Sequence, residues 1–157
     1  MTDCVFCEIV AGRAPASIVH RDEACIAFMD IKPVNAGHLL VVPVTHATYL
    51  ADLDPRTGSV LFAVAQRLAA AVRTSGLKVE GINLLLADGE AAGQEVFHVH
   101  LHVLPRFKGD GFGHRFPPHY GQEPERDQLD AYATAIRREL VEPEATSSAE
   151  ASLGPGA

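Results

Sequence analysis

Residues 97–106 read Phe-His-Val-His-Leu-His-Val-Leu-Pro-Arg, with a histidine at every second position and apolar residues between them. Because successive side chains of a β-strand point to opposite faces, the pattern predicts a strand with His98, His100 and His102 on one face. The intervening apolar residues then lie on the other face, where they can be buried. A strand face made of imidazoles is costly as packing surface, so the pattern favours a functional site over a structural role.

The spacing along this strand indicates that the three histidines cannot all contact the same small ligand. Alternate residues lie about 6.6 Å apart and the outer pair about 13 Å apart, so one phosphate could contact His100 and His102 but hardly His98 as well. Near neutral pH an imidazole can act as a nucleophile towards phosphorus, and a neighbouring imidazolium can stabilise the phosphate oxygens or protonate the leaving group. A single catalytic metal bound by all three is disfavoured, because alternate positions on a straight strand do not converge on one ion.

Composition limits the class of protein. The chain has 157 residues, which fits one domain, and 47% of them are hydrophobic, which is enough for one core. A formal net charge of −7 argues against a general nucleic-acid-binding surface, although a local site can still bind a small phosphorylated ligand. The cysteines are odd in number, the N-terminus lacks a basic or long apolar run, and no segment has the length of a membrane span. We expect a cytoplasmic protein that binds neither membranes nor nucleic acid.

The remaining pattern predicts an α+β fold with a mostly antiparallel five-stranded sheet, one main crossing helix and a C-terminal helix. Short apolar runs predict strands at 18–20, 25–29, 38–43, 82–86 (in a central position) and 96–104. Asp54-Pro55 is typical of a helix start, and apolar residues at spacings of three and four continue towards a stop at Gly76. A second helix is predicted from 126 to 140. Residues 1–141 form the predicted domain, and residues 142–157 are predicted to be a disordered tail.

A second motif lies at the N-terminus. Cys4-Val-Phe-Cys7 has the spacing by which two thiolates share one tetrahedral zinc ion. The same spacing also occurs in redox dithiols and in pairs of small buried residues. His98 is a candidate third ligand, because the strand geometry leaves it without a phosphate to contact. A structural zinc, an unmetallated thiol pair and a redox dithiol therefore stay open at this point.

These motifs resemble the histidine-triad (HIT) superfamily of nucleotide hydrolases and transferases. Its signature, His-φ-His-φ-His-φ-φ with φ an apolar residue, is matched by residues 98–104. The segment from Asp30 to His38 looks like the family's ribose-side segment, and residues 92–97 look like its phosphate loop. The resemblance extends from about Cys4 to Arg106 and implies a HIT-like fold.

The resemblance also implies a mechanism. His100 would attack the α-phosphorus of a purine nucleotide derivative to form a nucleotidyl-histidine intermediate that water then hydrolyses, and His102 would contact the same phosphate. Asp30 would bind the ribose hydroxyls, with a turn-capping role as the alternative. The phosphate site would be lined by Gln94 and the backbone around it. The full set of implied nucleotide-binding residues is Phe6, Ile9, Phe28 and Leu39, which are otherwise ordinary core residues, with Asp30, Gly93, Gln94, Glu95, Val96, His100 and His102.

A structural zinc and a homodimer are implied in the same way. Many bacterial members of the family carry a zinc whose ligands resemble Cys4, Cys7, His46 and His98. The dimer would form one continuous sheet across its two-fold axis, which would protect an otherwise exposed sheet edge. His38, which follows Gly37, is predicted either to support the catalytic strand by hydrogen bonding or to have an internal structural role.

The markers of individual branches of the family disagree. Ala87 stands where the dinucleoside-polyphosphate branch uses a glutamine, and Glu95 stands where other branches use Ser or Thr. In contrast, residues 104–106 and 109–112 resemble the polyphosphate-cleaving branch more than the phosphoramidase branch. The substrate class therefore stays open between dinucleoside polyphosphates and nucleoside phosphoramidates. The alternative is a nucleotide-binding regulatory or scaffold protein with little turnover.

Overall fold

The computed structural model of the chain describes residues 4–113 and 116–140. The predicted tail at 142–157 lies outside the described residues. The chain divides into two compact units, one that ends at Gly113 and one that comprises the rest. No helix in the described ranges is long and apolar enough to cross a membrane.

The first unit is built on a five-stranded sheet, which confirms the predicted α+β fold. Every neighbouring pair of strands is antiparallel, and the strand order is β1-β2-β3-β5-β4. The strands are β1 (Ile18–Arg21), β2 (Cys25–Met29), β3 (Leu39–Pro43), β4 (Gly81–Leu85) and β5 (Leu101–Arg106).

The predicted central position of the fourth strand is wrong. β4 lies at one edge of the described sheet, and all five of its residues are only half-buried. Ile82 and Leu84 pack against the core, which accounts for part of the apolar run. An apolar run shows that a strand is covered, but it does not show how many strands flank it.

The main helix α2 (Pro55–Thr74) was correctly predicted from its start signal and its apolar spacing. Asp54 caps it by accepting a hydrogen bond from the Thr57 amide at 2.9 Å, and Pro55 occupies the first turn. Its apolar stripe packs on one face of the sheet and forms the larger core cluster. The buried helix residues are Leu61, Val64, Ala65, Leu68 and Val72.

The other face of the sheet carries a smaller core cluster beneath a short helix, α1 (Val5–Val10). The sequence pattern did not predict this helix, because six residues are too few to display an apolar period. Strand alternation sends every second side chain of β2 and β3 to this face. The buried members of the cluster are Phe6, Ile9, Ile26, Phe28, Leu40 and Val42.

The predicted strand at 96–104 is wrong in its first half, because β5 begins at Leu101. Its ladder with β3 starts where Leu101 pairs with Val41, and in the same register Pro43 would lie opposite Val99, two residues further along. Pro43 has no amide hydrogen, and its carbonyl accepts a hydrogen bond from the His98 imidazole at 3.0 Å. The chain before β5 therefore leaves the ladder. Of the three histidines, only His102 lies in the strand.

The second unit contains α3 (Arg126–Glu139), which confirms the predicted C-terminal helix to within a residue. In the same unit the rings of Phe116 and Tyr120 stack with their centroids 3.9 Å apart.

Candidate functional site

Four cysteine and histidine side chains converge between α1 and the residues that precede β5. They are Cys4, Cys7, His46 and His98, and their ligand atoms all lie within 4.8 Å of one another. The Nδ1 atom of His98 lies 3.4 Å from Cys4 Sγ, 3.6 Å from Cys7 Sγ and 3.2 Å from His46 Nδ1. Cys7 Sγ lies 3.3 Å from His46 Nδ1. We call these four residues the metal cluster.

The donor set of the metal cluster fits zinc. Around a tetrahedral zinc, bonds of about 2.3 Å to sulfur and about 2.0 Å to nitrogen place neighbouring ligand atoms roughly 3.3–3.8 Å apart. The distances within the cluster fall close to that range. His98 donates its Nε2 hydrogen to the Pro43 carbonyl, which leaves the Nδ1 lone pair directed at the other three ligands. Burial lowers the pKa of His98 to about 4, so the imidazole is neutral, as a metal ligand must be.

The next histidine, His100, is held in one tautomer. Its Nδ1 lies 2.7 Å from the carbonyl oxygen of His98, so Nδ1 carries the hydrogen and donates it. The lone pair is therefore on Nε2, the ring nitrogen that can act as a nucleophile. His100 is buried, and its ring contacts that of His102 with the centroids 4.9 Å apart.

His102 is held in the opposite tautomer by His38. The Nε2 atom of His38 lies 2.9 Å from Nδ1 of His102, whereas Nδ1 of His38 lies 3.3 Å from the Val34 amide and 3.5 Å from Asp30 Oδ2. One Nδ1 atom cannot both accept from an amide and donate to a carboxylate. Burial lowers the pKa of His38 despite the Asp30 charge, which favours a neutral ring. Because the Val34 amide makes the hydrogen bond to Nδ1, we assign the tautomer that accepts from Val34 and donates to His102.

This arrangement leaves His102 with its hydrogen on Nε2. Burial, with smaller contributions from His100 and His38, lowers the pKa of His102 to about 4. The sequence allowed an imidazolium beside the nucleophile. In the structure His102 is instead a neutral imidazole that can donate a hydrogen bond from Nε2. Asp30 accepts a hydrogen bond from the Lys32 amide at 2.8 Å through Oδ1, which is the turn-capping contact anticipated as the alternative. Its side chain remains 17% exposed.

The predicted apolar slot is assembled only in part. Phe6, Ile9 and Phe28 lie together in the smaller core cluster, and the Phe6 ring contacts those of Phe28 and His100 with centroid distances of 5.5 and 5.2 Å. Leu39 does not join them, because it packs under α2 on the opposite face of the sheet. Strand alternation places the next residue, Leu40, beside the other three. The structure therefore brings Leu40, and not Leu39, together with Phe6, Ile9 and Phe28.

The loop before the triad is organised by Gln94, whose side chain is buried. Its Oε1 accepts a hydrogen bond from the Gly89 amide at 2.8 Å, and its Nε2 donates to the carbonyls of Thr48 at 2.9 Å and Val96 at 3.3 Å. The side chain is thus committed to backbone groups. Gly93 has a φ of +89°, a conformation that suits glycine and turns the loop back on itself.

Glu95 lies at the surface beside the metal cluster. Together with Val96 it borders an open groove whose other lining residues are Cys4, Val5, His46, Thr48 and Phe97. The predicted role of this carboxylate at the phosphate stays a prediction.

A partly buried ion pair at the end of β5 supports the segment around Asp30. Asp110 accepts hydrogen bonds from Arg106 Nε at 2.6 Å and Nη2 at 2.8 Å, and from Asn35 Nδ2 at 2.8 Å. Asn35 also donates to the Pro105 carbonyl at 2.9 Å. The guanidinium holds the pKa of Asp110 far below its usual range. In the sequence, Arg106 and Asp110 stood out only as branch markers and Asn35 only as part of the ribose-side segment, and their spacing gave no sign of this network.

Comparisons with known proteins agree with this architecture. The family model of the HIT domain matches residues 11–109. Protein hit from Bacillus subtilis is 37% identical over 140 residues, which cover 88% of this chain and 95% of that protein. Adenylylsulfatase HINT3 from Arabidopsis thaliana is 36% identical over 112 residues, which cover 69% of this chain and 54% of that protein.

Solved structures show the same fold. The structure of a HIT family protein from Bacillus anthracis matches with a TM-score of 0.82 at 36% identity, covering 89% of this chain and 99% of that one. A zinc-bound histidine triad family protein from Mycobacterium smegmatis matches with a TM-score of 0.68 at 42% identity, covering 88% of this chain and 98% of that one.

Proposed function

This chain belongs to the HIT family of nucleotide-binding proteins, and on that premise we propose that it is a hydrolase that cleaves purine nucleotide derivatives at the α-phosphate. The observation that carries the proposal is the opposite tautomers of two adjacent imidazoles. His100 presents a lone pair on Nε2, and His102 presents a hydrogen on Nε2. A nucleophile beside a donor is what displacement at a phosphate requires.

The reaction then proceeds in two displacements. Nε2 of His100 forms a bond to the α-phosphorus while the bond to the leaving group breaks, giving a nucleotidyl-histidine intermediate. Water next attacks the same phosphorus, and the bond to Nε2 breaks to release the nucleoside monophosphate. His102 donates from Nε2 to the phosphate oxygens in both steps, and His38 keeps it in the donating tautomer.

Binding of the nucleoside is assigned to the side of the sheet that carries α1. Phe6, Ile9, Phe28 and Leu40 supply an apolar surface next to His100. The partly exposed Asp30 carboxylate is proposed to accept hydrogen bonds from the ribose hydroxyls. The backbone of residues 93–96 is proposed to line the phosphate site.

We propose that the metal cluster holds a structural zinc. The support is the tetrahedral spacing of its ligand atoms, the neutral state of His98, and the zinc in the similar protein from Mycobacterium smegmatis. Bound there, zinc would supply cross-links between α1, the segment at His46 and the start of the triad.

We also propose a homodimer joined through β4. β4 pairs only with β5 among the described strands, so its other edge presents unpaired backbone groups beside half-buried apolar side chains. Pairing with β4 of a second copy would satisfy both. Sedimentation velocity checks this: Leu84→Pro, which removes a backbone donor from β4, should shift a dimer towards a monomer. A wild-type protein that sediments as a monomer contradicts the proposal.

The decisive experiment for the proposed function traps the intermediate. After brief incubation with adenosine phosphoramidate or with diadenosine polyphosphates, acid-quenched protein is digested and analysed by mass spectrometry. We expect a nucleotidyl mass on His100, absent in His100→Ala and retained in His119→Ala, a histidine in the second unit. Full turnover in His100→Ala refutes the mechanism. Tight monophosphate binding with negligible turnover of every substrate favours the regulatory alternative, and the relative rates decide between the two substrate classes.

A further inference from the structure

The short helix α1 joins the metal cluster to the proposed nucleophile. Cys4 immediately precedes the helix and Cys7 lies in its first turn, so two of the four ligands are positioned by this helix. Phe6, between them, is buried and points into the smaller core cluster. A helix of six residues has little stability of its own, so its position depends on what holds it.

Phe6 contacts both of the histidines that precede β5. Its ring meets that of His98 edge to face with the centroids 6.0 Å apart, and that of His100 in the same way at 5.2 Å. These are favourable geometries for aromatic pairs, and they leave the His100 ring little room to rotate towards α1. The His100 ring also contacts that of His102.

A second connection runs through the backbone. His98 contributes its side chain to the metal cluster and its carbonyl to His100 Nδ1, at 2.7 Å. Because the same residue does both, a backbone shift that takes His98 out of the cluster also displaces the carbonyl that selects the His100 tautomer. The segment that carries His46 is also hydrogen-bonded to the residues before β5, because the carbonyl of Ala47 accepts a hydrogen bond from the Val99 amide at 2.8 Å.

We propose that Phe6 is a positioning residue through which the metal cluster holds His100 in its reactive tautomer and orientation. Loss of metal, or loss of the Phe6 ring, releases His100 into a mixture of tautomers. The inference rests on the proposed function for its catalytic consequence, but the ordering of His100 is a property of the protein without substrate.

The proposed function also gives Phe6 a place in the wall of the nucleoside site, and that role and the positioning role differ in what they predict. A base wall affects the affinity for a nucleoside monophosphate and leaves the free protein unchanged. A positioning residue changes the His100 ring in the free protein and slows formation of the nucleotidyl intermediate. The edge-to-face ring contact with His100 is the observation that supports the positioning role.

The test uses zinc-loaded protein labelled with ¹⁵N-histidine, in which long-range ¹⁵N–¹H spectra report the tautomer of each imidazole. In the wild type we expect His100 to show a protonated Nδ1 and an unprotonated Nε2. In Phe6→Ala, and in wild type after chelation, these two shifts should move towards each other. Val10→Ala is the matched control, since Val10 lies on the same helix and packs on the same cluster without ring contacts. It should keep the wild-type signals.

The kinetic arm measures single-turnover formation of the intermediate together with monophosphate affinity. We expect Phe6→Ala to lose about tenfold to a hundredfold in the single-turnover rate, with a much smaller change in affinity. If Phe6→Ala does not fold, Phe6→Leu is judged by the same criteria.

Unchanged His100 shifts in the folded Phe6 variant overturn the proposal, as does a variant that loses only affinity. The two hypotheses fail separately. Shifts that respond to Phe6 in a protein that turns over no nucleotide would refute the proposed function alone, whereas normal turnover with unresponsive shifts would refute the positioning role alone.

Discussion

Replacing His102 by glutamine should flatten the pH dependence of stability. His102 is neutral in the folded protein because burial lowers its pKa from an ordinary 6.5 to about 4. In the unfolded chain the same imidazole takes up a proton as the pH falls through 6.5. The folded state is therefore favoured fully above pH 6.5, and this contribution is lost progressively down to pH 4.

The size of the effect follows from the two pKa values. As the pH falls from 7.5 to 5.5, the His102 imidazole binds nearly one proton in the unfolded state and almost none in the folded state. For a pKa shift from 6.5 to about 4, this lowers the unfolding free energy by about 1.3 kcal/mol. Partial exposure of the ring reduces the cost to about 1 kcal/mol. His102→Gln removes this contribution and leaves those of the other groups in place.

Urea unfolding of the two proteins at pH 7.5, 6.5 and 5.5 provides the assay. As the pH falls from 7.5 to 5.5, the unfolding free energy of the wild type should decrease by about 1 kcal/mol more than that of His102→Gln. The imidazole ¹⁵N shifts should show His102 still neutral at pH 5.5. Parallel stability profiles, or a charged His102 at that pH, would refute the assignment of a neutral donor.

Three further outcomes are expected. Gly37→Ala should destabilise the protein more than Gly76→Ala. Both glycines have a φ above +80°, but a Cβ at Gly37 would lie 2.7 Å from Leu77 Cδ1, whereas a Cβ at Gly76 would have no atom within contact distance. Equal urea midpoints for the two variants would contradict the contact at Gly37. Cys4→Ser should lower bound zinc well below about one per chain by elemental analysis, and unchanged zinc would exclude Cys4 as a ligand. Asp110→Asn should lower the melting temperature by weakening the Arg106 ion pair, and an unchanged melting temperature would contradict that pairing.

The elements that the sequence predicted well are those whose signals are local. The Asp54 cap and the apolar spacing that follows it lie within one helix, so α2 could be placed from neighbouring residues. The strands β2 and β3 were similarly marked by short apolar runs. The pattern missed α1, which is too short for a period, and put β4 in the wrong place in the sheet.

The candidate site was predicted in its residue types more than in its arrangement. Leu39 and Leu40 are adjacent and chemically alike, so alternation showed that they face opposite ways without showing which face carries α1. Likewise, the amide of Gln94 suits a phosphate, but its actual partners are backbone groups, including the Thr48 carbonyl 46 residues away. Such choices depend on what folding brings near, which spacing along the chain does not specify.

The sequence by itself determined that two histidines of 97–106 could share a phosphate and that Cys4 and Cys7 could share a metal, because these properties follow from side-chain chemistry and short spacings. Only the tertiary structure decided how each imidazole is protonated. His100 takes its tautomer from the His98 carbonyl in a segment that leaves the strand, and His102 takes its tautomer from His38, 64 residues earlier. An imidazole can carry its hydrogen on either nitrogen, and the partner that folding places beside it determines which.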